Sequence, residues 1–311
     1  PLSPDRDGSR TVVKKCNKAI FIVLTLLGFI VVSFVLSFLI GTSTSNKIAM
    51  IPIKGAISSS GGGLPFEGAG ASSLNILDQL KDADEDNNVK AIILEIDSPG
   101  GTVLASKEVA DKIKEIEKPV VAWVRGTGAS GAYWIASATD RIVADELSVI
   151  GSIGVTSSYL EFSGLLKEYD VSYQRLVTGE FKDLGSPYKE LTEKERELLM
   201  KKINQIHDFF IREISENRNI SLAKINKLAT GEFFLGQEAI KLGLIDELGG
   251  RDEAVNVSKQ LANVTEAEVV KYKDSEGIFD YLLDAKIPYQ VGQGIGSAFI
   301  NTDLKKPEIR A

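Results

Sequence analysis

The sequence predicts an α/β fold built on a largely parallel sheet. Short apolar runs of the buried-strand kind alternate with amphipathic helical segments from Lys47 onward, and three of the runs end in glycine-bearing turns. No long linker interrupts residues 47–270, so this stretch reads as one domain. KIAMIPIKGAI (47–57) is a strand, and the glycine-rich SSSGGGLPFEGAG after it is a loop without periodicity. SSLNILDQLKDADED (72–86) is a helix opened by a serine cap, with Leu74, Leu77 and Leu80 on one face. VKAIILEID (89–97) is a buried strand ending in SPGG, followed by the helix VLASKEVADKIKEIEK (103–118). PVVAWVRG (119–126) is a further strand, and a helix starts after Ser130.

Beyond it, RIVADELSVIGSIGV (141–155) supplies short strands, EFSGLLKEYD (161–170) a helix and VSYQRLVTG (171–179) a strand. A long amphipathic helix covers 191–219 with a capped start between Leu191 and Glu195. Shorter helices follow in SLAKINKLAT, QEAIKLGL and RDEAVNVSKQLANV. The residues after Asp274 give no pattern that assigns an element.

Ahead of the domain, Ala19 to Ile40 runs for 22 residues without a charge, and a bilayer core of about 30 Å needs roughly 20 apolar helical residues. A buried core helix or a cleaved signal sequence would also be apolar, but the first seldom runs this long and the second is shorter. Arg10, Lys14, Lys15 and Lys18 precede the span and only Lys47 follows closely. The expected organisation is a cytoplasmic tail (1–18), a single transmembrane helix (19–40), an extracytoplasmic domain (41–270) and a C-terminal extension (271–311) that is mobile or sits at an oligomer interface.

The net charge of −7, with no basic cluster outside the N-terminus, disfavours nucleic acid as a partner. Cys16 is the single cysteine and His207 the single histidine, which excludes an internal disulfide and leaves no metal-ligand spacing.

Candidate chemistry gathers at three turns, SPGG (98–101), GTGASGA (126–132) and GSIG (151–154). The carboxyl ends of strands in α/β sheets bind ligands, and glycine lets backbone N–H groups approach a bound group. Ser130, at a helix start among small residues, has the setting of a nucleophile, which needs a base. His207 lies in the long helix, where a lone histidine is usually structural, and no Ser-His-Asp set can be assembled. Lysine is the other option, once burial or a neighbouring charge lowers its pKa from about 10.4. Lys182, in the loop TGEFKDLGSPYKE between a strand and the long helix, is the lysine that stands apart. Its residue context alone leaves it either a base or a solvated loop residue.

IDSPGG (96–101), GTGASGAYWIASATD (126–140), VIGSIGV (149–155), TGEFKDLGSP (178–187) and TGEFFLGQEAIKLGLIDELGG (230–250), in this order, resemble the signal peptide peptidase A family in its short, single-copy form. That family consists of membrane-anchored serine/lysine peptidases of the ClpP/crotonase superfamily, whose fold repeats ββα units. The resemblance covers about residues 47–255. It implies Ser130 as nucleophile, Lys182 as general base, and an oxyanion hole from the N–H groups of Gly101 (or Gly100) and Gly131. It further implies that Ser152 orients the lysine and that no cofactor or metal is used. Ala132 departs from the pattern, because many members have a second glycine there.

The implied substrates are signal-peptide remnants and other membrane-associated peptides. The implied assembly is a cyclic homo-oligomer, with serine and lysine supplied either by one subunit or by two neighbouring ones. Rival readings are an NfeD-related membrane protease of the ClpP class, a crotonase-type acyl-CoA enzyme, and a non-catalytic membrane-tethered scaffold.

Overall fold

The computed structural model describes residues 25–33, 46–60 and 70–272. The chain divides into two units between Asn46 and Lys47. In the first, residues 25–33 form helix α1, with exposed side chains. Among the described residues no helix is long and apolar enough to cross a membrane, and the remainder of the expected 19–40 span lies outside them.

The second unit is built on a mostly parallel sheet. Its strands are β1 (Lys47–Lys54), β4 (Val89–Ser98), β5 (Val120–Ala129), β6 (Arg141–Ala144), β7 (Val149–Gly151), β8 (Phe233–Leu235), β9 (Glu247–Leu248) and β10 (Glu268–Lys271). The order is β10-β1-β4-β5-β6-β9, all parallel, while β7 pairs with β5 and, antiparallel, with β8. A parallel two-stranded sheet, β2 (Ile57–Ser58) with β3 (Ala71–Ser72), sits beside it. The apolar runs predicted as buried strands are buried on both faces, as a covered parallel sheet requires.

One face carries the larger core. Helices α2 (Ser73–Glu85), α3 (Val103–Glu115) and α4 (Gly131–Ser137) pack there with the C-terminal half of α6 (Glu193–Asn217), around Ile92, Leu94, Val109, Trp134 and Ile214. Each such side chain contributes about 1.5–3 kcal/mol on burial. On the other face α9 (Arg251–Leu261) lays Ala254 and Val257 over Ile48, Met50, Ala91 and Ile93. The remaining helices are α5 (Ser163–Glu168), α7 (Leu222–Leu228) and α8 (Gly236–Leu242).

Several elements differ from expectation. Helix α2 buries Ser73, Ile76, Leu80 and Ala83, while Leu74 is 57% exposed, so the core face is rotated from the Leu74/Leu77/Leu80 line. The side chain of Ser72 caps this helix by accepting the Asn75 N–H. The Lys118 ammonium closes its other end by donating to the carbonyls of Ala83, Asp84 and Asp86. VSYQRLVTG is not a strand: residues 171–180 are all exposed and have no ladder partner among the described residues, and without a paired edge a strand-like composition forms no ladder. The capped start of α6 is a capping box in which the Thr192 side chain accepts the Glu195 N–H and the Glu195 carboxylate accepts the Thr192 N–H. Strand β10 carries the folded unit to Lys271, and of the expected 271–311 extension residues 273–311 lie outside the described residues.

Strand β5 changes partners along its length. Val121 to Val124 pair with β6, whereas Thr127 to Ala129 pair with β7. At the split the Ser148 hydroxyl donates to the Val124 carbonyl at 3.0 Å and satisfies an acceptor that leaves the first ladder. The carboxyl half of β5 thereby exchanges β6 for β7 on one side while Gly128 stays in register with Ser98 of β4 on the other.

On the α9 side, beyond that helix, Glu95 is buried with Lys54, Arg125 and Lys271 from three other strands 3.1–3.4 Å from its carboxylate. Burial alone would raise its pKa, but the Lys271 and Lys54 ammonium groups hold it below the usual carboxylate range. A depressed folded pKa gives stability that is present above the unfolded glutamate value, about 4.3, and is lost as pH falls through the folded value. Glu95→Gln is expected to cost about 2 kcal/mol at neutral pH, discounted for the half-exposed partners. Thermal melts followed by circular dichroism check this, because wild type loses its advantage over the variant as the pH is taken below the carboxylate range.

Candidate active site

Three neighbouring strands bring the three turns together. Ser98 on β4 is in register with Gly128 on β5, and Gly128 with Ile150 on β7. After β4 the chain turns through Gly100 at φ +100°, with its N–H donated to the Ser98 hydroxyl at 3.1 Å. Gly101 is then threaded beside β2: Ile57 donates its N–H to the Gly100 carbonyl, and Thr102 donates to the Ile57 carbonyl. A Cβ on Gly101 would stand 1.9 Å from the Ile57 carbonyl oxygen, and one on Gly100 would stand 2.8 Å from the Gly131 nitrogen. Glycine at both positions follows from backbone meeting backbone.

Ser130 joins β5 to α4 at φ 51°, ψ −123°, a region that a side-chain-bearing residue enters only at a cost of about 1–3 kcal/mol. It is held there at both ends. Its N–H donates to the Gly151 carbonyl at 2.7 Å, and its carbonyl accepts the Trp134 N–H at 3.0 Å. Strain that the surroundings enforce in this way marks functional sites, as at the strand-to-helix nucleophile turns of hydrolases.

The Gly101 and Gly131 N–H groups donate to no backbone carbonyl among the described residues. They are close neighbours, since a Cβ on Gly131 would lie 3.4 Å from the Gly101 nitrogen. Gly131 also opens a helix, where amide dipoles favour negative charge. Two unused donors flanking a half-buried serine form an arrangement that can stabilise an oxyanion.

A recess of about 90 Å³ adjoins this centre, walled by Val103, Trp134, Val155, Ile206 and Phe210. Trp134 stacks on Phe210 with ring centroids 4.7 Å apart, so α4 and α6 fix the wall between them. No side chain that lines the recess is titratable.

The model of peptidase family S49 matches residues 112–265, and that of Clp protease matches residues 69–144. A Methanocaldococcus jannaschii protein with the provisional protease name MJ0651 is 38% identical over 72% of this chain and 71% of its own length. An Enterococcus faecium protein provisionally named signal peptide peptidase SppA is 33% identical over 79% of this chain and 72% of its own length. The chain belongs to peptidase family S49.

This S49 member is a serine peptidase. It spans 35% of Protease 4 of Haemophilus influenzae, to which it is 34% identical over 70% of the chain. The fold is shared with a mutant of the 1510-N membrane-bound stomatin-specific protease bound to a substrate peptide, at TM-score 0.52 and 17% identity, over 77% of this chain and 99% of that one.

Of the site residues expected in the S49 peptidase, the structure brings Ser130, Gly100, Gly101 and Gly131 together and sets Ser152 directly after Gly151, whose carbonyl holds Ser130. Ser152 lies at φ 49°; its N–H donates to the Glu232 carbonyl and its hydroxyl to the Gly231 carbonyl at 3.2 Å. Lys182 is elsewhere. It is exposed, makes no ion pair among the described residues and is not among the residues lining the recess. Its turn is nevertheless shaped: Arg175 clamps the adjacent Asp183 through two hydrogen bonds of 2.7 and 2.8 Å and donates to the Glu180 carbonyl at 3.2 Å. The Arg175 guanidinium also holds the Asp183 carboxyl below the usual range. His207 does not line the recess either.

Sequence reasoning missed that Trp134, buried in the core with Tyr133 and Ile135, also forms a wall of the recess. It also missed Ser106, whose hydroxyl would stand 2.2 Å from a Cβ on Gly131 and donates to the Thr102 carbonyl at 3.0 Å. Ser106 sits on the buried face of α3, and that helical position was the one signal that could have pointed to it.

Proposed function

We propose that the protein is a membrane-anchored endopeptidase working through a Ser130–Lys182 dyad on signal-peptide remnants and other membrane-associated peptides. The observation that carries this reading is the strained Ser130 beside the two unused N–H groups of Gly101 and Gly131. The neutral Lys182 amine takes the Ser130 proton, and the oxygen attacks the scissile carbonyl. The tetrahedral oxyanion rests on the N–H groups of Gly101 and Gly131. Lys182 returns the proton to the leaving amine, and then activates the water that hydrolyses the ester. Ser152 orients the lysine. These steps need no metal and no cofactor.

The base is the distinctive part. The Ser130 recess contains no titratable group, and Lys182 is exposed on a clamped turn. In this reading a neighbouring copy in a cyclic oligomer supplies Lys182, which explains why a shaped loop would present a lysine without a partner. Residues 19–40 form the anchor, with the N-terminus in the cytoplasm and the peptidase unit outside. The E. faecium relative's signal-peptide peptidase name, and the description of the 1510-N protease as membrane-bound, support that setting.

Mixing inactive subunits tests the dyad. Ser130→Ala and Lys182→Ala proteins are each expected to be inactive on a fluorogenic peptide. Co-assembled, they are expected to recover roughly a quarter of wild-type activity, because some interfaces pair an intact serine with an intact lysine. Substantial activity in Lys182→Ala alone would remove the lysine from the mechanism. Two inactive proteins that never complement, although they co-assemble, would put both residues in one copy.

A further inference from the structure

The chain segment that lines Ser130's recess goes on to line a second cavity. Gly154, Val155 and Thr156 line the recess, and Ser157, Ser158, Tyr159 and Glu161, next along the chain, line a cavity of about 500 Å³. Helix α6 forms the opposite wall of both, giving Ile206 to the first and Ile203, one turn earlier, to the second. Residues 154–161 make no backbone–backbone hydrogen bond among the described residues, which leaves their N–H and carbonyl groups able to run beside an extended chain that starts at Ser130.

The two cavities differ in chemistry. The recess has no charge, whereas the second cavity sets Glu161, Glu190 and Arg196 over an apolar floor of Leu199, Met200 and Ile203. Neither carboxylate is ion-paired among the described residues, even though Arg196 shares the cavity. Hydrogen bonds from Ser163 hold the Glu161 carboxyl below the usual range. Two carboxylates against one guanidinium leave an excess negative charge above an apolar surface. That combination suits a long basic side chain, whose methylenes lie on the floor while its head reaches the carboxylates.

We infer that this second cavity is a subsite for a lysine or arginine of the peptide substrate. It lies roughly four to six residues from the scissile bond, at about 3.3 Å per extended residue. The inference rests on the peptidase reading only for the position of the bond that is cut. It makes the enzyme selective for peptides that join a small apolar residue at the cut to a basic residue at a fixed spacing.

Binding to the full chain carrying Ser130→Ala tests it without turnover. Fluorescein-labelled neutral peptides are compared with a set in which lysine or arginine replaces glutamine at each position in turn, on both sides of the scissile bond. Anisotropy is expected to show one position, or two adjacent ones, at which the basic residue tightens binding about 5-fold at low salt and less at high salt. Adding Glu161→Gln and Glu190→Gln is expected to bring the ratio of basic to neutral affinity to about one. Wild-type hydrolysis should follow the same scan through KM rather than kcat.

A flat scan, a preference that survives both glutamine substitutions, or a preference for acidic residues that would put Arg196 in charge, each overturns the subsite. The peptidase reading fails separately. A wild type that cleaves none of the peptides, while the Ser130→Ala protein still shows the preference, removes the mechanism and keeps the subsite.

Discussion

Ser130→Ala is expected to fold as wild type does and to hydrolyse peptides at least about 10⁴-fold more slowly. The hydroxyl makes none of the contacts that hold the turn; the Ser130 N–H and carbonyl do that work with Gly151 and Trp134. Removing Oγ therefore deletes the attacking atom and leaves the recess and both oxyanion donors in place. Alanine at φ 51°, ψ −123° is as strained as serine, so the melting temperature should hardly move. Ser130→Gly is the informative companion. Glycine enters this region freely, so the variant should be equally inactive yet melt about 2–4 °C higher, for roughly 1 kcal/mol of released strain. The measurements are kcat/KM on a fluorogenic peptide and thermal melts. An active Ser130→Ala protein would remove the nucleophile from the proposed mechanism, and a glycine variant that melts no higher would show that the turn stores no strain.

Gly101→Ala is the second large effect. Its methyl would fall 1.9 Å from the Ile57 carbonyl oxygen and 2.5 Å from the Ile57 nitrogen, so it meets backbone on which no rotamer change can help. Either β2 is pushed away or the SPGG turn is displaced. The first breaks the hydrogen bonds that Ile57 makes to Gly100 and Thr102, and the second moves an oxyanion donor. The expected outcome is a loss of about 10²–10³ in kcat together with about 3 kcal/mol of stability. The test is to measure kcat on protein shown by circular dichroism to be folded. Near-wild-type turnover would mean that the Gly101 N–H stabilises no charge in the reaction.

What could be read from the sequence follows the range of the interactions. The strands β1, β4 and β5 were legible because continuous apolar runs with flanking turns are a local signal, and the capping box of α6 lies within four residues. The three glycine turns were legible as a site because each follows such a strand. Strands β8, β9 and β10, of two to four residues, are too short to show a period and went unseen. VSYQRLVTG carries a strand-like composition, but only pairing with an edge makes a strand, and the segment pairs with none among the described residues. The recess walls were illegible for a related reason. Ile206 and Phe210 reach Ser130 from a helix some 75 residues later, and nothing in either segment names the other. Lys182 remains the reverse case, singled out by its loop yet absent from the recess of its own chain.

The partner change of β5 has a consequence for the newly made chain. Its first half joins β4 and β6 and could pair as soon as Ala144 is available, but the conformation of Ser130 depends on Gly151. Strand β7, in turn, is braced by Phe233 to Leu235, and the recess is closed by Ile206 and Phe210. At the usual synthesis rate of about 5–20 residues per second, the serine emerges several seconds or more before the last of these supports. During that interval the chain is a partly formed sheet with an ordinary, unstrained serine. The order of residues thus acts as a timer, and hydrolytic capacity arrives only with a largely completed fold.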